Sequence, residues 1–275
     1  MSIDLDAYFR RIGYAGPRTA TLDTLRALHL LQPQAIAFEN LDPLLKRPVR
    51  LDPASLQAKL VDGGRGGYCF EQNLLFAHVL RSLGFKVQEA TARVRWGVPP
   101  GVHTPRVHAL LVVEADGGSY LVDVGFGGNV LTGPLLLKSR EEQATPHEPF
   151  RLAQEDKRIV IEAKLAGAWT PLYATDLAET VPADYEQGNW FTSAHPGSIF
   201  VNGLLGARAE AGRRYAIRDN QLAVHTLNGG TEKKTLKSAG EIRDALGDLF
   251  KVRLDGLDGL DGLDRALAKL AEGTA

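Results

Sequence analysis

One cysteine, Cys69, stands in 275 residues. A single thiol excludes an intrachain disulfide and any metal site built from cysteines alone, which removes disulfide scaffolds and zinc ribbons. An excess charge of one sign is missing too, because 32 basic and 33 acidic side chains leave a net charge of −1. Such a chain has no global field with which to hold a polyanion, so nucleic acid is not an expected partner. Long apolar runs are also absent. Stretches such as 109–113 are far too short to cross a bilayer, and no membrane partner is expected. The opening Met1-Ser2-Ile3-Asp4-Leu5-Asp6 is acidic and lacks the basic-then-apolar order of a signal peptide, so a reducing, cytoplasmic compartment is expected. What is present is a globular composition, 44% hydrophobic with ten Phe, seven Tyr and three Trp. That is enough to bury the core of one large fold or of two to three small ones.

The first eighty or so residues read as helical. Asp4 caps a helix through Ile12 closed by Gly13, and Thr21 caps a second with Leu22, Leu25, Leu28 and Leu31 on one stripe, ended by Pro33. Asp52-Pro53 is a cap followed by proline at the first helical position, opening a helix over 54–61 closed by Gly63-Gly64. Phe70, Leu74, Ala77, Leu80 and Leu83 mark a fourth helix, stopped by Gly84. From Lys86 the period becomes two, with strands expected at 106–114, 119–124, 158–165 and 169–174 as an antiparallel barrel or sandwich. Strands at 213–218 and 222–227 precede a helix over 241–250. The Leu-Asp-Gly repeat at 254–264 resembles calcium-binding turns in composition but matches neither known loop spacing. It reads as a turn-rich connector into a final helix over 264–271.

Cys69 lies in Arg65-Gly66-Gly67-Tyr68-Cys69-Phe70-Glu71-Gln72-Asn73, directly before the helical stripe. Unpaired N–H groups and the dipole at a helix N-terminus favour a thiolate, and the same N–H groups can face an oxyanion on a substrate bound to sulfur. The alternative is a cysteine filling an apolar gap. A second feature bears on the choice: the strand containing His108 is followed, after Asp116-Gly117-Gly118, by Tyr120-Leu121-Val122-Asp123-Val124. A hairpin looped at Asp116 and Gly117 pairs Ala115 with Gly118 and sets His108 opposite Gly125. Asp123 is then its diagonal neighbour on the same face, about 7–8 Å away between backbones. A three-residue loop would send Asp123 to the opposite face. A strand histidine is commonly just a satisfied polar residue, but a carboxylate inside Leu-Val-Asp-Val-Gly needs a partner. Cys69, His108 and Asp123 together form a nucleophile, base and orienter.

The segment at 65–73 closely resembles the active-site signature of the arylamine N-acetyltransferases. The resemblance extends to His108, to Val-Asp-Val-Gly-Phe-Gly-Gly at 122–128, to Phe38-Glu39-Asn40-Leu41 and to Phe191-Thr192-Ser193. It implies an α+β protein of three parts with a cysteine-protease-like Cys-His-Asp core. These are an N-terminal helical bundle at 1–84 carrying the nucleophile, a central antiparallel β-barrel at 85–190 carrying His and Asp, and a C-terminal α/β lid at 191–275. It also implies ping-pong transfer of acetyl from acetyl-CoA to an arylamine, arylhydrazine or N-hydroxyarylamine. Acetyl-CoA is then a co-substrate, with no tightly bound cofactor and no metal.

Phe38, Phe126 and Phe200 are candidates to line the acceptor pocket, against the plain alternative of core packing. The turn at Gly125, Gly127 and Gly128 is a candidate to meet CoA phosphates through backbone N–H groups. The spacing of Arg65 and Glu71 allows an ion pair bracing the nucleophile loop. The triad alone does not separate acyl transfer to an amine from a cysteine hydrolase or transglutaminase-like enzyme, or from an amide synthase. A non-catalytic small-molecule-binding protein is a further reading, and a homo-oligomer stays open.

Overall fold

The computed structural model of the chain describes residues 3–99, 101–255, 257 and 262–273. The capping residues start the first helices where the sequence expects them. Asp4 accepts from Ala7 N–H at 3.0 Å to open α1 (Leu5–Ile12), and Gly13 closes it at φ +71°. Thr21 caps α2 (Leu22–Ala35). This helix does not stop at Pro33 as expected. The missing proline N–H removes one bond in the last turn, and Ile36 N–H still donates to Gln32 O at 2.8 Å. The two-residue strand β1 (Phe38–Glu39) and the short α3 (Leu41–Leu44) follow. Asp52 caps α4 (Pro53–Leu56), which widens into a π-turn over Gln57–Asp62 before α5 (Cys69–Ser82).

The barrel comprises β2 (Lys86–Val94), β3 (Arg106–Ala115), β4 (Gly118–Val122), β5 (Leu135–Leu136), β6 (Phe150–Glu155), β7 (Arg158–Leu165) and β8 (Ala168–Thr175). Their order in one antiparallel sheet is β5-β4-β3-β2-β8-β7-β6. Gln143 nearly closes it: its backbone exchanges hydrogen bonds with Phe150 of β6 at 2.7 and 2.9 Å, and its side chain binds Leu136 N and O of β5 at 2.7 and 3.2 Å.

The C-terminal part begins with α6 (Pro182–Ala194) and α7 (Ile199–Asn202). Next come β9 (Leu205–Glu210), β10 (Arg213–Arg218), β11 (Gln221–Thr226) and β12 (Thr231–Thr235), then α8 (Ala239–Asp248) and α9 (Gly262–Ala271). The second sheet has the order β1-β9-β10-β11-β12, so a strand from the N-terminal region forms its edge. Residues 256 and 258–261 of the Leu-Asp-Gly repeat lie outside the described residues, but Leu254 and Leu257 are buried in the C-terminal core with Leu263, Leu267 and Leu270.

β3 is buried on both faces, which accounts for its unbroken apolar run. Ala109, Leu111 and Val113 pack on the helices with Leu75, Phe76 and Val79, while Leu110 points into the barrel with Leu121, Leu152 and Tyr173. Strand alternation places His108 and Asp123 on the barrel side of that boundary, with the first turn of α5 on the other.

Candidate active site

The nucleophile loop is fixed before the helix begins. Gly67 N–H donates to Ala37 O and Gly67 O accepts from Glu39 N–H, both at 3.2 Å, so the loop runs along β1. A Cβ on Gly66 would lie 2.2 Å from Ala37 O, and one on Gly67 would lie 2.7 Å from Glu71 Oε2. Gln72 reinforces the approach by donating to the carbonyls of Ile36 and Ala37 at 3.1 and 2.9 Å. Cys69 is therefore held as the first residue of α5, at the end where backbone N–H groups lack helical acceptors. It is 4% exposed, and its Sγ lies 3.5 Å from Val107 O.

The hairpin has the register that brings the other two residues together. Ala115 pairs with Gly118 and Leu111 with Val122, across a turn whose Asp116 and Gly117 both adopt positive φ, at 46° and 76°. His108 Nε2 lies 2.7 Å from Asp123 Oδ2, and the Cys69 side chain also acts on the imidazole. With Nε2 engaged by the carboxylate, Nδ1 is the nitrogen left for sulfur. Burial opposes a charged His108, but the Asp123 charge and hydrogen bond, followed by Cys69, raise its pKa to about 10. Burial likewise opposes ionised Asp123, and His108, Asn73 and Gly125 N–H together hold its pKa below the ordinary value.

Several residues with no sequence-assigned role hold this line. Asn73 follows Cys69 by one helical turn and so faces the same way. Its Nδ2 donates to Asp123 Oδ1 at 3.0 Å and to Ala109 O at 2.8 Å, and its Oδ1 accepts from Val124 N–H at 3.1 Å. An amide at that spacing from the cysteine, inside an otherwise apolar stripe, was the available signal. His29 of α2 reaches Asp123 O at 3.0 Å. Tyr173 of β8 packs on the His108 ring at 4.7 Å with its hydroxyl buried beside Asp123. No local pattern in β8 singles it out.

The three candidate phenylalanines are half-buried around this buried line. Phe126 meets His108 edge-on at 5.1 Å from the barrel side. Phe38 lies 6.1 Å from Phe200, which is 5.7 Å from Tyr68, on the helical side. Asn40 anchors Phe200 by donating to its carbonyl at 2.8 Å. Phe191-Thr192-Ser193 falls on α6, where Thr192 Oγ1 donates to Gly188 O at 2.8 Å and Ser193 Oγ to Asn189 O at 2.7 Å. Of the glycines after Asp123, Gly125 braces the triad itself. Its N–H donates to Asp123 Oδ1 at 2.9 Å, and a Cβ there would lie 2.8 Å from Cys69 Cα. That N–H faces the carboxylate, not a phosphate. Gly127, at φ +83°, passes over the Phe38 ring, and Gly128 has open space beside it.

The expected Arg65–Glu71 pair is replaced by a larger charged cluster. Arg65 Nη2 bonds Glu39 at 2.7 Å and Asp42 at 3.4 Å, whereas Glu71 bonds Lys59 at 2.6 Å, and Lys59 also meets Asp42 at 2.5 Å. Glu71 turns away from Arg65 because its Oε2 accepts Tyr68 N–H at 3.1 Å, capping α5. Among the described residues, no group of three or more His, Cys, Asp or Glu is arranged to hold a metal.

A model of the N-acetyltransferase family matches residues 21–258. An arylamine N-acetyltransferase of Mycolicibacterium smegmatis is 42% identical over 262 residues, 94% of each chain. The solved structure of the M. smegmatis arylamine N-acetyltransferase superposes with a TM-score of 0.94 at 40% identity, covering 98% of this chain and 100% of that one. The Mycobacterium marinum arylamine N-acetyltransferase in complex with CoA gives 0.93 at 40% identity, covering 97% and 99%.

Proposed function

Since the chain belongs to the arylamine N-acetyltransferase family and is an acyltransferase, we propose that it carries acetyl from acetyl-CoA to the nitrogen of an arylamine, arylhydrazine or N-hydroxyarylamine by a ping-pong route through Cys69. The observation that carries the reading is the hydrogen-bonded pair His108–Asp123 set beside Cys69 at the start of α5, flanked by half-buried aromatics.

His108 first takes the proton of the Cys69 thiol. The sulfur attacks the thioester carbonyl, the C–S bond to CoA breaks, and the CoA thiolate takes the His108 proton and leaves. The oxyanion forms where the N–H groups of α5 begin. The amine then attacks the acetyl-cysteine, neutral His108 accepts the amine proton, and the Cys69 thiolate is expelled, so the proton count closes. Phe38, Phe126 and Phe200 would stack the aromatic acceptor and keep water from the thioester. Gly127 and Gly128 would border the CoA pyrophosphate, and a free nucleophilic thiol suits the cytoplasm.

The test is intact-protein mass spectrometry with acetyl-CoA. One acetyl group is expected on Cys69, absent in Cys69→Ala, and discharged by an arylamine or hydrazine with N-acetylated product. CoA release without amine dependence would indicate a hydrolase, and no adduct with no CoA release would sink the transferase reading.

A further inference from the structure

One fully buried titratable side chain near the triad takes no part in the transfer steps. His29 sits on α2, 0% exposed, with its ring 6.1 Å from Phe76 in the helical core. Its Nε2 lies 3.0 Å from Asp123 O, and a carbonyl oxygen can only accept, so Nε2 carries the proton. Its Nδ1 is buried with no hydrogen-bond partner among the described residues. An imidazole with one nitrogen left unsatisfied is an expensive way to fill an apolar position that leucine would fill without penalty. The polar contact it does make is with the backbone of Asp123.

We propose that His29 is a positioning residue for acyl transfer: its Nε2–H holds the Asp123 carbonyl and so sets the angle at which the Asp123 carboxylate meets His108. The proposal rests on the Cys69–His108–Asp123 reading. Asp123 follows the last residue of β4, so no ladder partner on a neighbouring strand fixes its carbonyl. Asn73 and Gly125 N–H orient Asp123 Oδ1, and His29 supplies the third point, from a different helix. Three supports from α2, α5 and the glycine turn leave the carboxylate no free rotation. Burial also lowers the His29 pKa to about 4, so the ring stays neutral and keeps its role as donor across the working range.

The experiment compares His29→Leu, His29→Gln and His29→Asn in the full chain, reading the rate of Cys69 alkylation by iodoacetamide against pH, the kcat and KM for acetyl-CoA, and Tm. A glutamine amide reaches the place of Nε2, whereas asparagine reaches only that of Nδ1. The expected result is a fall in kcat and in alkylation at neutral pH of roughly tenfold for Leu and Asn with KM little changed, and recovery in Gln. In an Asp123→Asn background, His29→Leu should add nothing further, since it acts through that carboxylate. Alkylation curves that superimpose on the parent in all three variants while Tm moves would overturn the proposal, leaving His29 as packing only. Should His29→Leu fail to fold, the contrast between Gln and Asn decides by itself. Failure of the functional reading is distinguishable, because parent protein would then alkylate at Cys69 with the expected His29 dependence and yet form no acetyl adduct.

Discussion

At the residue scale, the site is a problem in keeping charges ionised where water is scarce. Burial works against both members of the His108–Asp123 pair, and each stays charged because the other is 2.7 Å away. Asp123→Asn should therefore return His108 to its neutral form near pH 7 and slow Cys69 alkylation by about 10²-fold or more, with far-UV circular dichroism unchanged. An unaltered alkylation rate would show that the thiol is not activated by this pair. Glu71 offers a pH test of a different kind. Burial pushes its carboxyl from the ordinary 4.5 up to about 7 despite Lys59. The native state then binds a proton that the unfolded chain has released, so this group's contribution to stability declines as pH rises from about 4.5 to about 7. Glu71→Gln keeps an acceptor for Tyr68 N–H and should flatten that part of a Tm-against-pH curve; an unchanged slope would remove Glu71 from the account.

At the scale of elements, the β3–β4 hairpin decides whether the triad exists. Side chains alternate with period two, so parity in the turn determines which face Asp123 takes. One residue inserted between Asp116 and Gly117 should leave a folded hairpin with Asp123 turned from His108, and acetyl transfer should drop to the level of Cys69→Ala. Retained activity would mean the chain restores register with a bulge. The same hairpin turn is tied to α2, since Asp116 Oδ2 accepts from Leu22 N–H at 2.9 Å. Helices with full caps, α1 and α2, were legible from sequence. α6 was not, because its buried face is only Tyr185, Gly188 and Thr192. That face is small because Phe70 already occupies the space: a Cβ on Gly188 would lie 2.7 Å from its ring. The narrow stripe reflects tight packing, which no periodicity rule detects.

At the scale of the molecule, the described residues form three buried cores, and the helical and barrel cores border the Cys69–His108–Asp123 site. Contacts far apart in sequence hold them together. β1 pairs with β9, so the strand that props the nucleophile loop is also an edge of the C-terminal sheet. Arg214 of β10, itself buried, bonds Glu148 at 2.9 Å and Val130 O at 3.0 Å, clamping the turn after Asp123 from the C-terminal side. Arg214→Met strands the half-buried Glu148 carboxylate and should cost about 3 kcal/mol in chemical denaturation. A loss under about 1 kcal/mol would place the joint between the cores elsewhere.

The sequence by itself determined what depends on neighbours along the chain. That includes the capped helices, the strands of the hairpin, the glycines that bring the loop up to Cys69, and the Cys, His and Asp set whose motif marks the family. Only the tertiary structure decided which partners those residues keep. Arg65 turned to Glu39 and Asp42 and Glu71 turned to Lys59 because β1 and the π-turn arrive from other parts of the chain. His29, Asn73 and Tyr173 converge on His108 and Asp123 for the same reason. Hydrogen bonds and desolvation act over a few ångströms of space, and spacing in sequence reports that distance only within a single helix or hairpin.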